Sequence, residues 1–97
     1  MAQAPSTDRF PHLDELLRSG GSYLIGDTKS IRGAAIASDS EVVYAALIRR
    51  EGESLDELHQ RLDTIVGEVV RGKRAPVNEV PGGTFYVGRK RRGQSPR

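Results

Sequence analysis

Four adjacent cations, Arg89-Lys90-Arg91-Arg92, are the densest chemistry in this 97-residue chain. Such a run can neutralise phosphates and release counterions, a sequence-independent attraction that weakens steeply with salt. Lys73 and Arg74 add two more cations upstream. Phe85 and Tyr86 lie between these groups and could stack on bases, although cross-strand packing is the commoner use of such residues. Charge is polarised along the chain. Residues 1–70 hold seven Lys/Arg against twelve Asp/Glu, and residues 71–97 hold eight against one. The sequence pI near 9.3 therefore belongs to the C-terminal quarter. A concentrated basic segment is an electrostatic footprint for DNA or RNA.

Other chemistry finds less support. His12 and His59 stand apart, with no ligand cluster at metal-binding spacing. His59 borders an apolar stripe and reads as boundary packing. Residues 67–73 spell most of a phosphate-binding loop, but Arg74 replaces the magnesium-binding Ser or Thr. That match also closes a helix, whereas the working loop follows a strand and opens one. Glu51, Glu53, Asp56 and Glu57 surround a helix start, where the dipole favours carboxylates. Ser, His and Asp occur without a nucleophile elbow. Neither an enzyme nor a cofactor is expected. There is no Cys, which excludes disulfides and thiolate sites.

The elements that carry these residues can be read from spacing. Ser38 with Glu41, and Ser54 with Glu57, both spell a capping box. Gly52 separates them and suits the left-handed turn that closes a helix. Leu55, Leu58, Leu62, Ile65, Val66 and Val69 repeat at helical spacing. The expectation is an antiparallel helix pair over about 39–50 and 55–70. Gly67 inside the second helix suggests a close crossing or a fraying end. Glu57 and Arg61 are spaced for an ion pair within that helix. The first helix, with its unbroken run from Val42 to Ile48, must be buried or form an association surface. A short helix over 12–19 precedes the pair, ended by Gly20-Gly21. Residues 22–26 read as a strand, and 31–37 as a weaker second strand, able to pair with it in a hairpin. Residues 77–80 and 84–88 flank a Pro81-Gly82-Gly83 turn and read as extended.

The fold class expected is therefore α+β, mainly helical: the helix pair, a short N-terminal helix, one or two minor strands or a hairpin, and a basic C-terminal tail. Residues 1–9 are expected to be a disordered N-terminus, 10–88 a single small domain and 89–97 the basic tail. At 36% hydrophobic residues the core is modest, and a dimer could supply further burial. No apolar run approaches a membrane span, and the first residues lack the order of a signal peptide. A cytoplasmic protein without membrane contact is expected.

An extended lead (residues 34–37), a helix, the turn Arg50-Glu51-Gly52-Glu53-Ser54-Leu55 and a second helix resemble the ribbon-helix-helix regulators. The resemblance covers about residues 33–70. It implies a dimer whose paired leads read the major groove. The chain departs from it in two places. The lead lacks the alternating polar residues that would face bases, with Ser30 and Arg32 just ahead of it, and Glu51 and Glu53 stand where phosphates would approach.

These features support two functional expectations. One is a small non-enzymatic regulator that contacts nucleic acid through Lys73, Arg74, Arg89, Lys90, Arg91 and Arg92, with dimerisation open. The alternative is a protein-binding adaptor or inhibitor of the phage- or bacterium-encoded kind. It would act through an apolar face around Val43, Tyr44, Leu47 and Leu62, or through an acidic body that imitates a polyanion.

Overall fold

The computed structural model describes residues 9–28 and 31–80, and the backbone of 88–89. The elements run α1 (Pro11–Arg18), β1 (Ser22–Gly26), β2 (Ala34–Ser38), β3 (Val42–Ile48), α2 (Leu55–Val70), β4 (Val77–Asn78) and β5 (Gly88–Arg89). The sheet order is β1-β2-β3-β4, and β5 also pairs with β3. β1–β2 and β2–β3 are antiparallel, while β4 runs parallel to β3 after the α2 crossover.

The mainly helical fold with a helix pair over 39–50 and 55–70 is overturned. Its second member is α2, and its first is a strand. The run Val42–Ile48 is rich in β-branched and aromatic residues, which suit a pleated surface. Its lack of alternation has a physical cause. Ala45, Ala46 and Leu47 are consecutive and all 0% exposed, so the strand is buried on both faces. No helix-turn-helix unit exists over 33–70, so the ribbon-helix-helix resemblance does not extend to the fold. The Arg50–Leu55 stretch links a strand to a helix instead.

The capping box at Ser54 forms, with its hydroxyl accepting from Glu57 N–H and Glu57 accepting from Ser54 N–H. The matching spelling at Ser38 does not cap anything. Ser38 ends β2, and Asp39 Oδ1 accepts from the N–H groups of Glu41 and Val42. A short polar side chain satisfying its own turn favours a hairpin. Partners Ala37↔Ala45 and Ser38↔Val43 leave Tyr44 as an extra residue, a β-bulge. The Tyr44 hydroxyl donates to Asp39 Oδ2 at 2.6 Å.

Both helices end alike. Gly21 N–H reaches Leu16 O and Lys73 N–H reaches Glu68 O. Gly20 and Gly72 take the positive φ that this closure requires. The start of α1 is different, because Phe10 provides no side-chain cap. Instead Asp63 of α2, only 2% exposed, accepts from His12 and Leu13 N–H at 2.8 and 2.9 Å.

The two helices share one core with the sheet. Leu13 and Leu16 meet Leu58, Leu62, Ile65 and Val66 over Ala35, Ala37, Ala45 and Leu47. Alanine lowers strand propensity, but here Ala35, Ala37 and Ala45 are fully buried in the core shared with α2. Gly67 serves the helix crossing. A Cβ there would stand 2.6 Å from the His12 ring.

The Pro81-Gly82-Gly83 turn and most of the extended stretch over 84–88 lie outside the described residues, as does the N-terminus before Arg9. Among the described residues, no helix is long and apolar enough to cross a membrane.

Candidate nucleic-acid interface

Topology decides where the cations go. The end of α2 returns to the start of β3, where Gly67 and Val70 share a small cavity with Tyr44. Residues 71–74 come next, and the chain re-enters the sheet when Val77 pairs with Ala45. Arg89 pairs through its backbone with Val42, at the same end of β3. The segment containing Lys73 and Arg74 and the root of the basic run therefore share one end of the sheet. Lys90, Arg91 and Arg92 lie outside the described residues, as do Phe85 and Tyr86.

Arg71 and Lys73 are exposed, and neither has an ion-pair partner among the described residues. Arg74 Nη1 lies 3.2 Å from Glu68. The hairpin acids share this end, but the Asp39 carboxylate already receives two backbone N–H groups and the Tyr44 hydroxyl. Burial first, and then that bond to Asp39, push the Tyr44 hydroxyl up to about 12, so it stays a donor.

The apolar candidates lie mostly within the core. Leu47 and Leu62 are fully buried and Val43 is 7% exposed. Tyr44 is half-buried against the core and tied to Asp39. With no helix pair, there is no helix-pair face for these residues to present.

Two acids near the start of α2, Glu53 and Glu57, serve the fold. Arg61 does not pair with Glu57, which is occupied in the capping box. It donates to both Glu53 oxygens at 2.9 and 3.0 Å, to Glu79 at 2.8 Å and to Ile48 O at 2.9 Å. Glu79 also accepts from Ile48 N–H at 3.0 Å. This network ties α2 to the ends of β3 and β4. The Arg61 guanidinium holds the Glu53 carboxyl down at about 2. A charge-assisted fork of this kind is stronger than a neutral hydrogen bond.

His59 is packed between Phe10 and Tyr23. Its ring stacks on Phe10 at 3.7 Å, and its Nε2 lies 3.0 Å from the Tyr23 hydroxyl. Among the described residues, no group of three or more His, Cys, Asp or Glu could hold a metal ion. The spelling over 67–73 lies at the end of α2, with Gly67 against His12.

Three cations were not legible as site residues. Arg71 is the C-cap of α2 and adds a cation to the basic end; its proximity to Lys73 was the available signal. Arg32 and Arg49 converge elsewhere, and only the β2–β3 register brings them together.

No family model, curated protein or solved structure matches the chain.

Proposed function

We propose that this protein is a non-enzymatic regulator that contacts the nucleic-acid backbone with one basic end. Arg71, Lys73 and Arg74 form its folded part, and the run Arg89–Arg92 extends it. One observation carries the reading: Arg89 pairs with Val42 at the sheet end where 71–74 connect α2 to β4. Two basic segments separated in sequence by 14 residues, 75–88, are thereby rooted together. Guanidinium and ammonium groups at that end would bind phosphates without reading bases, so affinity should depend strongly on salt.

A salt series with duplex DNA and with RNA tests this. Full-length protein should bind at low salt, and log K should fall linearly with log salt. Truncation after Gly88 should weaken binding and flatten that slope by about 0.9 for each phosphate left unneutralised on B-DNA. The Arg71→Ala/Lys73→Ala variant should do the same to a smaller extent. Equal binding by the full and truncated chains at every salt concentration would remove the tail from the interface.

A further inference from the structure

A second cationic surface lies at the other end of β3. Arg32 precedes β2, and Arg49 and Arg50 come directly after β3. The register Ala34↔Ile48, continued by Arg49 N–H donating to Gly33 O at 2.7 Å, sets them side by side. They border an open groove of about 440 Å³. Its volume falls in the range of small-molecule sites.

Both walls are held by hydrogen bonds. In the loop before β2, Asp27 Oδ1 accepts from Gly33 N–H at 2.7 Å, and Thr28 N–H donates to Ile31 O at 2.7 Å. In the turn after β3, Arg50 N–H donates to Glu53 at 2.9 Å, and Glu53 N–H donates to Arg50 O at 2.9 Å. Gly33 has φ +70°, and a Cβ there would stand 2.8 Å from Arg49 Cβ. The absence of a side chain at 33 lets the Arg49 stem lie against the loop.

Hydrogen bonds and ion pairs also engage the nearby carboxylates. Asp27 caps Gly33, Glu53 is gripped by Arg61, and Glu79 is shared by Arg61, Ile48 N–H and, at 3.3 Å, Arg50. Arg32 and Arg49 have no ion-pair partner among the described residues, and both are exposed. Glu51 is the other acid lining the groove, and it stands exposed at the rim. The groove also carries an apolar edge at Leu55, 48% exposed.

We infer that this groove is a binding site for a phosphate group, held by the Arg32 and Arg49 guanidinium groups with Arg50 at its edge. The planar fork of arginine matches two phosphate oxygens at once, which an ammonium does not. The phosphate can come from a small molecule or from a nucleic-acid backbone. The site is separate from the basic end proposed above and does not require it.

The test is an amide-resonance titration of the full-length chain, first with inorganic pyrophosphate and then with a short oligonucleotide. Either probe should shift the signals of Gly33, Arg49 and Arg50. Shifts with pyrophosphate identify a small-molecule site, and shifts with the oligonucleotide alone identify a backbone contact. The Arg32→Ala/Arg49→Ala variant should bind about tenfold more weakly or worse, as loss of charge-assisted hydrogen bonds requires. Arg49→Lys keeps the charge and loses the fork, so it should fall between the two and guards against misfolding of the double variant. A chain truncated after Gly88 and carrying Arg71→Ala/Lys73→Ala should retain the groove shifts even where the basic end has lost all binding. The inference is overturned if neither probe moves these signals, if a folded double variant binds as tightly as wild type, or if the groove shifts vanish with the basic end.

Discussion

Ser38–Glu41 and Ser54–Glu57 share a spelling, and their backbones go opposite ways. At Ser54 the hydroxyl and the Glu57 carboxylate each take one backbone N–H, and a 16-residue helix begins. At Ser38 the next residue, Asp39, takes both N–H groups itself and the chain doubles back into β3. The start of α1 gives a third solution, in which the acceptor is Asp63, 50 and 51 residues away from the groups it serves. The difference lies in the residues beyond the cap. Amphipathic spacing after Ser54 lets one helical face bury, whereas the run after Glu41 is apolar on every side and fills both faces of a strand. A local motif proposes a helix start, and the burial available to the next ten residues decides.

Asp63→Ala should have the largest effect in this series. The carboxylate is buried, and its loss leaves two N–H groups of α1 without an acceptor, at a cost of about 2–3 kcal/mol. Melting temperature should drop, and amide exchange at Leu13 and Leu16 should accelerate more than exchange in α2. If α1 and α2 lose protection equally, α1 does not depend on its borrowed cap. Asp63→Asn keeps an oxygen acceptor and should cost less.

The two Ser sites come next. Asp39→Ala removes an acceptor for two backbone donors and for the Tyr44 hydroxyl, and should cost about 1–2 kcal/mol. Ser54→Ala should cost about 1 kcal/mol through loss of the cap. Ser38→Ala should stay within about 0.5 kcal/mol, as a substitution outside any such feature does. Denaturant unfolding of the three variants checks the order. A Ser38→Ala loss as large as that of Ser54→Ala would mean the two stretches are more alike than their geometry.

The same contrast explains which elements the chain discloses before it folds. α2, α1 and β1 could be read because each couples a local start or stop to visible spacing: Ser54 with Glu57, Pro11 ahead of Leu13 and Leu16, and Tyr23-Leu24-Ile25 between glycines. β2 was legible despite its alanines because a turn-rich stretch sets it off from β1. β3 was not, since residues buried on both faces erase the two-residue period that marks a strand. Asp63 carried no signal, because the N–H groups it serves lie far away in sequence. Arg61 carried a misleading one, since its helical spacing pointed to Glu57 while its partners are Glu53, Glu79 and Ile48 O. Of the candidate sites, the charge of the basic end was legible and its assembly was not. That assembly depends on a parallel crossover and on the pairing of Arg89 with Val42. The arginine groove depends on register, which a one-residue slip would destroy.

The smallest expected effect concerns how α1 is held once its cap is made. Phe10, the residue before α1, stacks on His59 of α2 with the rings 9° from parallel, and Tyr23 of β1 closes the cluster. Burial lowers the His59 pKa, and Arg9 lowers it further, against Asp56 and Asp63, which raise it. The fold thus favours the neutral ring. Above the unfolded value of about 6.5 both states are neutral and nothing is lost. As pH falls through that value the unfolded chain takes the proton more readily than the folded one, so stability declines. Melting temperature should therefore fall modestly between neutral pH and about pH 5.5, with faster exchange at the start of α1. His59→Gln should flatten this dependence. If the variant keeps the full pH response, His59 is not the group that senses pH.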